Sequence, residues 1–565
     1  MQTAGREAKT LKQPCTSLLE LAMLFNSYEF IFAFLPATLL IYFLFGRVSR
    51  NWGLGWLIVA SVLFYAWWRP INVVIIAPSI LVNFVLARAL ARLAADQTQA
   101  RTSTLVLALG IAFNVAFLGY FKYMNFFASA ANDVAGTNFV LEQIILPLGI
   151  SFITFQKIAF LADVHARRVT SFTLREYLLF VLFFPQLIAG PIVHFREMMP
   201  QFQRVSCRFD KENVAVGLTL FFIGLFKKVF LADGIAPYVT PIYESAAAGG
   251  EISLIQAWIA ALGFTLQIYF DFSGYSDMAL GLGRCFGVRL PPNFDSPLKA
   301  SSIIDFWLRW HMTLTRFLTA YLYNPVLLWL TRRRLARGLP SIGGRKFSSG
   351  AFIQLLMGPT LLTMFVSGLW HGAGYLFILW GLLHGVYLTV NHAWRLVGPR
   401  LWSNRSDYER FMRPAGFVLT FAAVVFGMVL FRSTNGNAAI EILRGMWGAN
   451  GIGLPQQLFD RLGPLGGLLH PFVTASPLAT ATEFALAMVW VVALLFIALA
   501  LPNSLQIMAR YEPALGAKHL HANSRSVWWV LAWRPSMPWA IALSLLAAAA
   551  IMRIGEKSEF LYWQF

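Results

Sequence analysis

The chain has 565 residues, of which 58% are hydrophobic and only 13% charged, and its mean hydropathy is +0.62. Soluble domains carry about 25% charged residues, so this composition excludes a soluble globular protein and predicts an integral membrane protein. The net charge of +19 lies in short gaps between apolar runs, as the positive-inside rule describes. We therefore expect the basic residues to set the orientation of the chain in the membrane and to contact anionic lipid headgroups. The expected partner is the lipid bilayer and not nucleic acid.

Cysteine usage argues against both a disulfide framework and a zinc site. Cys15, Cys207 and Cys285 are far apart and form no CxxC pair. We expect no bound metal and no bound cofactor.

The first 22 residues differ from the rest of the chain. They are polar and mixed, and the apolar character begins at Met23. We expect residues 1–22 to be an N-terminal extension, disordered or mis-assigned, with Met23 as the true start. Residues 23–565 then form a single transmembrane domain.

Roughly a dozen runs approach the 20 or so apolar residues that a spanning helix needs. Basic residues in the first and third loops place those loops in the cytoplasm. Thr331–Lys346 is a basic loop assigned to the same side. The apolar runs are Tyr28–Gly46, Leu54–Trp68, Ile71–Ala87, Thr104–Tyr120, Ile145–Ala162, Leu178–Val193, Val214–Leu231, Leu254–Leu282, Phe352–Trp370, Tyr375–Val390, Phe417–Phe431, Phe484–Leu501 and Trp539–Met552, with a charge-rich helical stretch at Ile303–Leu330.

The segment Pro185–Pro191 interrupts one run with two prolines and a glycine. Backbone groups freed in this way are tolerated at membrane depth only when protein or a wet cavity satisfies them. We predict a broken or re-entrant helix here; the alternative is a loop at the surface.

The first polar cluster is Tyr269–Asp277, which carries Asp271, Ser273, Tyr275 and Asp277 in an apolar run. Its acidic and hydroxyl groups predict a buried polar patch that supports a site. The alternative is a capped helix end at the interface.

The second polar cluster, Asp305–Arg316, lies in the charge-rich stretch. In a helix, Asp305 and Arg309 are neighbours at i,i+4 and can pair, and the Thr315 hydroxyl can orient the His311 ring. The alternative is an interfacial helix whose charges face headgroups.

The third cluster is Trp370-His371-Gly372. An ionisable side chain in an apolar run is a functional-site candidate, and Gly368, Gly372 and Gly374 predict room beside the ring. A histidine that only donates to a backbone carbonyl is the alternative, which we adopt for His384 and His392. The nucleophile, phosphate-binding and zinc-protease motifs are missing from the sequence, so the histidines favour general-base removal of a proton from a hydroxyl, as acyl transfer needs.

Together these blocks resemble the membrane-bound O-acyltransferase (MBOAT) family, within it the bacterial AlgI-like branch of alginate O-acetylation. The resemblance runs from residues 23–30 to Glu559–Phe565. The blocks that carry it are Phe184–Pro191, Phe226–Val229 with Leu231–Asp233, Tyr269–Asp277, Asp305–Arg316 and Gly368–Gly372.

The resemblance implies an all-α polytopic fold, some of its segments re-entrant, around a central funnel. It makes His371 the essential histidine and His311 the second one. It also implies an O-acyltransferase of the bacterial inner membrane. Such a protein moves acetyl from cytoplasmic acetyl-CoA outward to an exported polysaccharide such as alginate, with a periplasmic acetyltransferase partner.

Further residues are expected to support the two histidines. Trp370 flanks the base, the Tyr269–Asp277 patch and the Asp305–Arg309 pair support the site, and Tyr321 or Asn324 steadies the oxyanion. After Tyr321–Pro325 the sequence departs from many relatives. This departure leaves open whether the cytoplasmic donor face is built as in alginate acetylation, and whether alginate is the polymer that is acetylated. Two alternatives remain: D-alanyl or another acyl transfer to a different envelope polymer, and a polysaccharide or lipid transporter with a histidine–carboxylate relay.

Overall fold

A computed structural model of the protein describes residues 23–137, 144–341, 348–461, 463, 475–476, 480–517, 531–555 and 561. The predicted all-α class is confirmed. Within these residues the only sheet is a parallel pair of two-residue strands, β1 (Leu454–Pro455) and β2 (Ala475–Ser476). The predicted extension, residues 1–22, lies outside the described residues.

The first part of the chain forms eight helices, two of which contain a π-helical turn. The π turns are Phe30–Phe34 in α1 and Gly119–Tyr123 in α4. The helices are α1 (Phe30–Val48), α2 (Arg50–Trp68), α3 (Ile71–Leu93), α4 (Ala100–Asp133), α5 (Ile150–His165), α6 (Leu174–Leu182), α7 (Phe184–Leu187) and α8 (Phe195–Arg204).

The remaining helices include the longest ones. π turns lie within α9 (Lys227–Ala232), between α12 and α13 (Thr319–Tyr323) and within α14 (Ile353–Met357). The helices are α9 (Lys211–Ala247), α10 (Leu254–Cys285), α11 (Ile303–Arg309), α12 (Met312–Leu318), α13 (Asn324–Leu335), α14 (Ser349–His371), α15 (Tyr375–Leu401), α16 (Arg405–Arg432), α17 (Gly436–Met446), α18 (Gln456–Arg461), α19 (Ala481–Ala500), α20 (Ser504–Ile507) and α21 (Met537–Met552).

Nine helices in the described part of the chain are long and apolar enough to cross a membrane: α1, α3, α4, α9, α10, α14, α15, α16 and α19. This finding confirms a multi-pass membrane protein. Four of the thirteen predicted runs are not among these nine helices: Leu54–Trp68 in α2, Ile145–Ala162 at α5, Leu178–Val193 at α6 and α7, and Trp539–Met552 at α21. Val214–Leu231 is only part of the continuous α9.

Helix α10 is the centre of the bundle, and it contacts α9, α16, α17 and α19. It packs closely on α9, because a Cβ at Gly274 would lie 2.7 Å from the Gly224 carbonyl oxygen. Small residues allow such close approach of helices in membranes. The Tyr269–Asp277 block lies well inside α10 and is buried, so the capped-end alternative is wrong.

The prediction of a broken helix at Pro185–Pro191 is confirmed. Helix α6 ends at Leu182, α7 is a single turn, and all residues from 181 to 195 are buried. Partners elsewhere satisfy the freed amides: Phe184 N–H donates to the Ser61 hydroxyl (3.1 Å) and Ile192 N–H to the Thr313 hydroxyl (3.0 Å). A surface loop is therefore excluded for this segment.

Several loops meet at one end of the bundle, which we call the basic face. Arg175 donates to Asn51 (2.6 Å), Ser103 pairs with His165 (2.9 Å), and Arg289 pairs with Glu512 (2.9 Å). Arg50 also donates to the carbonyl of Gln203 here. The basic face is the end that the charge distribution predicts to be cytoplasmic.

Candidate active site

His371 is the last residue of α14. The helix ends there because Gly372 is extended, with φ of −163°. The side chain is 4% exposed, and the rings of Trp370, Trp380 and Phe431 surround it at centroid distances of 4.9, 5.1 and 5.3 Å. The histidine is thus enclosed by aromatic side chains from α14, α15 and α16.

His311 lies at a break in the chain, which corrects the prediction of one helix over Ile303–Leu330. Trp310 is extended and His311 is left-handed (φ 44°), so α11 ends and α12 begins at this point. A left-handed conformation is unfavourable for residues other than glycine, so surrounding contacts must maintain it. Asn293 provides them, because its backbone carbonyl accepts from Met312 N–H (2.9 Å) and its side chain accepts from Thr313 N–H (3.3 Å).

The hydrogen bonds of Asn293 also assign the tautomer of His311. The Asn293 Oδ1 accepts from the Thr313 hydroxyl (2.9 Å) and lies 3.1 Å from His311 Nδ1. An amide oxygen only accepts, so Nδ1 carries the proton and Nε2 holds the lone pair of the neutral ring. The Thr315 hydroxyl instead donates to the Trp307 carbonyl (3.1 Å), so Asn293 takes the orienting role predicted for Thr315.

The structure brings the two predicted histidines together. Their ring centroids are 6.4 Å apart, and Trp370 contacts both rings. His311 is fully buried and meets the edge of Phe272 from α10 at 4.8 Å. Residues 60 positions apart in the sequence therefore form one buried, aromatic-walled pair.

The pair lies far from the basic face. The carbonyl of His371 contacts Lys122 of α4. At a rise of about 1.5 Å per residue, Lys122 lies about 28 Å along α4 from Ser103 on the basic face. This distance is close to the 30 Å or so of a hydrocarbon core, which places His371 towards the opposite end of the bundle.

The acidic residues of the Tyr269–Asp277 block face α9. Asp271 pairs with Lys228 (2.6 Å), and Asp277 pairs with Lys227 (2.8 Å). Lys228 also pairs with Asp233 (2.8 Å). The described contacts therefore place both predicted acids in a buried ion-pair network of two helices.

Other residues of the block lie nearer the histidines. Phe272 contacts His311, and the Ser276 hydroxyl lies 3.4 Å from the Asn293 amide nitrogen. Tyr275 stacks on Phe25 at 4.8 Å, and Ser273 is buried. One face of α10 thus supports His311, while the acids of the adjacent face bind lysines.

The predicted pair of Asp305 and Arg309 is confirmed at 2.8 Å. Both side chains are about a third exposed, and Asp305 also lies within the first turn of α11, where its N–H donates to Ser302 (3.1 Å). This pair holds a helix end together, and an exposed pair of this kind contributes only about 0–1 kcal/mol.

Tyr321 contacts His194, the residue that precedes α8. Its hydroxyl is 3.0 Å from His194 Nδ1. Burial, together with the positive charges of Arg316 and Arg196, lowers the pKa of His194 to about 3, so the ring is neutral. Asn324 is exposed at the start of α13. Neither residue has a described contact with His371, and their predicted roles remain predictions.

The glycines near His371 serve helix packing. A Cβ at Gly368 would lie 2.3 Å from the Phe377 carbonyl oxygen, and one at Gly372 would lie 2.2 Å from the Phe377 ring. Both glycines therefore let α15 approach α14 closely. The predicted room beside the imidazole is filled by α15.

No role was predicted for Asn293, which orients His311, and a structural role was predicted for His384. His384 is fully buried against Trp380 (4.9 Å) and Trp307 (5.4 Å), so one indole ring, Trp380, separates it from His371. For His384, the signal available was its position on the same predicted helix as Trp380. For Asn293, a single asparagine in a loop, the sequence offered no signal.

Among the described residues, no group of three or more His, Cys, Asp or Glu side chains lies close enough together to bind a metal ion. The expectation of no bound metal stays a prediction. Cys207 and Cys285 are free thiols and are buried.

Comparison with known proteins identifies the family. A model of the MBOAT, membrane-bound O-acyltransferase family, matches residues 102–339, a span that includes His311 and ends before His371. The peptidoglycan O-acetyltransferase of Helicobacter pylori is 38% identical over 493 residues, which cover 80% of this chain and 86% of that protein. The chain belongs to the membrane-bound O-acyltransferase family. Its chemistry is therefore acyl transfer, as predicted, which argues against the transporter alternative.

Two further relatives mark the range of this family. A probable alginate O-acetylase AlgI of Azotobacter vinelandii is 33% identical over 557 residues, which cover 96% of this chain and all of that protein. A teichoic acid D-alanyltransferase of Streptococcus thermophilus is 26% identical over 294 residues, covering 50% of this chain and 68% of that protein. The resemblance to the AlgI-like branch is thus confirmed, alongside relatives with other acceptors.

Proposed function

We propose that this membrane O-acyltransferase moves an acetyl group from acetyl-CoA on the basic, cytoplasmic face to a hydroxyl group of an exported envelope polysaccharide. The observation that carries the proposal is the buried pair of His371 and His311, with ring centroids 6.4 Å apart. The names of the relatives, an O-acetyltransferase and an O-acetylase of polysaccharides, support acetyl as the group transferred.

In the proposed chemistry, the neutral imidazole of His371 takes the proton of the acceptor hydroxyl as its oxygen attacks the thioester carbonyl carbon. The tetrahedral intermediate collapses when the carbon–sulfur bond breaks. The leaving thiolate takes the proton back from the imidazolium. An ester and a free thiol result, so atoms, protons and charge balance.

His311 has the supporting role. With Nδ1–H held by Asn293, the lone pair of its neutral ring lies on Nε2. We assign it to orient the acceptor hydroxyl or the His371 ring, and to exchange a proton only after it has accepted one. Trp370 packs against both rings and holds their spacing.

The remaining predicted residues enter the proposal indirectly. Asp271 and Asp277 hold α10 against α9, and α10 in turn supports His311 through Phe272. Ser273 and Tyr275 belong to the same buried helix. The Asp305–Arg309 pair fixes α11, which leads into the break at His311.

The donor enters from the basic face in this proposal. Between that face and the histidines, Tyr321 contacts His194, and Arg316 pairs with Glu197 (2.9 Å). Aromatic rings run from Tyr321 through Phe317 and Phe155 to Trp370, at centroid distances of 5.1, 4.3 and 5.3 Å. Arginines on this side suit the phosphates of coenzyme A. We place the protein in the bacterial inner membrane, with a periplasmic acetyltransferase as partner.

Peptidoglycan is the second candidate acceptor beside alginate-like polymers. The relative named for peptidoglycan is 38% identical, against 33% for the Azotobacter vinelandii protein named for alginate. Both acceptors are envelope glycans with free hydroxyl groups. The histidine pair can take a proton from a hydroxyl of either polymer. D-alanyl transfer has weaker support, because the teichoic acid relative is 26% identical over half of this chain.

The test measures O-acetyl content by mass spectrometry in a deletion strain complemented with wild type, His371→Ala or the control His392→Ala. Muropeptides and extracellular polysaccharide are analysed separately, which names the polymer. Loss of a general base costs about 10²–10⁴-fold, so His371→Ala should leave no detectable acetyl at equal protein level. His392 is a partly exposed histidine of α15 and should tolerate alanine. Equal acetylation with His371→Ala would remove His371 from the mechanism.

A further inference from the structure

The C-terminal end of α14 carries three backbone carbonyls, those of Leu369, Trp370 and His371. Such carbonyls have no partner within their own helix. All three are bound by two consecutive residues of another helix, α4. The Tyr123 hydroxyl donates to the Leu369 carbonyl (2.7 Å), and Lys122 Nζ donates to the carbonyls of Trp370 and of His371, the latter at 3.4 Å.

Lys122 is unusual in its surroundings. Most of α4 faces outward, since 17% of its apolar window is buried, yet the Lys122 ammonium points into the bundle. It lies 5.8 Å from the centroid of the Trp370 ring and 6.0 Å from that of Tyr123. No carboxylate pairs with it in the part of the chain that the structure describes. An ammonium group turned into a protein bundle loses part of its hydration, so these contacts need an explanation.

The local helix geometry brings both side chains to the same place. Lys122 and Tyr123 lie in the π turn Gly119–Tyr123, and π turns inside α-helices are frequent at functional sites. A cation at a helix C-terminus also interacts favourably with the helix dipole. Helix α14 has no cap of its own, because Gly372 continues as extended chain.

We propose that Lys122 and Tyr123 form a clamp on the C-terminus of α14 that positions His371 for proton transfer. The proposal rests on the proposed role of His371 as the base. The two residues are positioning residues: they bind the backbone that carries the imidazole. Without the clamp the last turn of α14 frays, and His371 loses its fixed distance to His311.

The first readout is hydrogen–deuterium exchange of the full-length protein in detergent, followed on peptides that cover residues 363–374. Lys122→Met removes the two hydrogen bonds that the ammonium donates, and Tyr123→Phe removes only the one that the hydroxyl donates. We expect faster exchange in these peptides for both variants, larger for Lys122→Met. Exchange in α9 and α10 should stay unchanged.

The second readout is kinetic, with radiolabelled acetyl-CoA as donor. A misplacement of about 1 Å can cost 10²-fold in rate, so Lys122→Met should lower kcat by about 10- to 100-fold. The KM for acetyl-CoA should change by less than about threefold, because the clamp binds no substrate. Lys122→Arg keeps the charge and the donors and should restore part of kcat.

Lys157→Met is the matched control. Lys157 is a buried lysine of α5 whose ammonium donates to the Ser79 hydroxyl (2.5 Å) and lies over the Phe117 ring (5.2 Å), and no described hydrogen bond joins it to a carbonyl of α14. This variant should leave exchange at residues 363–374 and kcat as in wild type. The clamp is refuted if Lys122→Met leaves the exchange of these peptides unchanged, or raises exchange equally throughout the bundle.

The two readouts separate this proposal from the proposed function. If His371→Ala kept full acetylation, the role of His371 as base would fail. The exchange data would still show whether Lys122 and Tyr123 hold the end of α14. Faster exchange in Lys122→Met with unchanged kcat would overturn the positioning role.

Discussion

Replacing Asn293 by alanine should reduce acyl transfer although both histidines remain in the sequence. The Asn293 side chain accepts from His311 Nδ1 (3.1 Å) and from Thr313 through both its hydroxyl (2.9 Å) and its N–H (3.3 Å). Alanine removes this acceptor. The His311 ring is then free to rotate or to change tautomer, so that Nε2 no longer presents a fixed lone pair.

The expected size follows from the groups left without an acceptor. A buried donor that loses its acceptor costs about 1–3 kcal/mol. If that cost appears in the transition state, it lowers the rate about 5- to 150-fold, since about 1.4 kcal/mol is a factor of ten. We expect a loss of about 10- to 100-fold in kcat, smaller than that of His371→Ala.

The assay compares the rate of O-acetyl incorporation into the envelope polysaccharide after induction, normalised to the amount of protein in the membrane. Ser276→Ala is the matched control, because Ser276 contacts only the nitrogen of the same amide, at 3.4 Å. It should retain at least about a third of the rate, as expected for loss of one long hydrogen bond. A rate for Asn293→Ala within threefold of wild type would refute the orienting role.

Two further predictions concern the packing around the site. Gly368→Leu should lower the Tm or the yield of folded protein, because even a Cβ would lie 2.3 Å from the Phe377 carbonyl oxygen. Gly374→Ala, whose Cβ would be 3.5 Å from the Phe377 ring, should be tolerated; equal Tm values for the two variants would contradict the packing argument. Lys228→Met should destabilise by about 3–5 kcal/mol, because it leaves carboxylates buried without their partner. Adding Asp271→Asn should recover part of the lost Tm, and no recovery would refute the pairing.

The sequence predicted the helical class and most spans, since apolar runs of sufficient length have few alternatives in a bilayer. It failed where a distant partner decides the local structure. The stretch Ile303–Leu330 has helical periodicity throughout, yet it breaks at His311 because Asn293 supplies acceptors for the first amides of α12. No local pattern in that stretch encodes the partner.

The site was predicted in part for the same reason. His371 and His311 stand out as ionisable groups in apolar surroundings, and they do meet in the structure. The acids of the Tyr269–Asp277 block stand out equally, yet Asp271 and Asp277 pair with lysines of α9. Polarity in a membrane segment predicts a buried partner, but it does not say whether that partner is a substrate or another helix.

Both candidate catalytic histidines lie at helix ends inside the bundle, where backbone groups need partners from elsewhere. His311 begins α12 and depends on Asn293; His371 ends α14, where Lys122 bonds to its carbonyl. The orientation of a residue at a helix end depends on the hydrogen bonds that cap that end, whereas a residue within a helix moves only with the whole helix. Variation among these partners should therefore change the rate of transfer more readily than variation in the walls of the bundle. Substitutions at Asn293 and Lys122 test this view, because they leave both imidazoles in the chain.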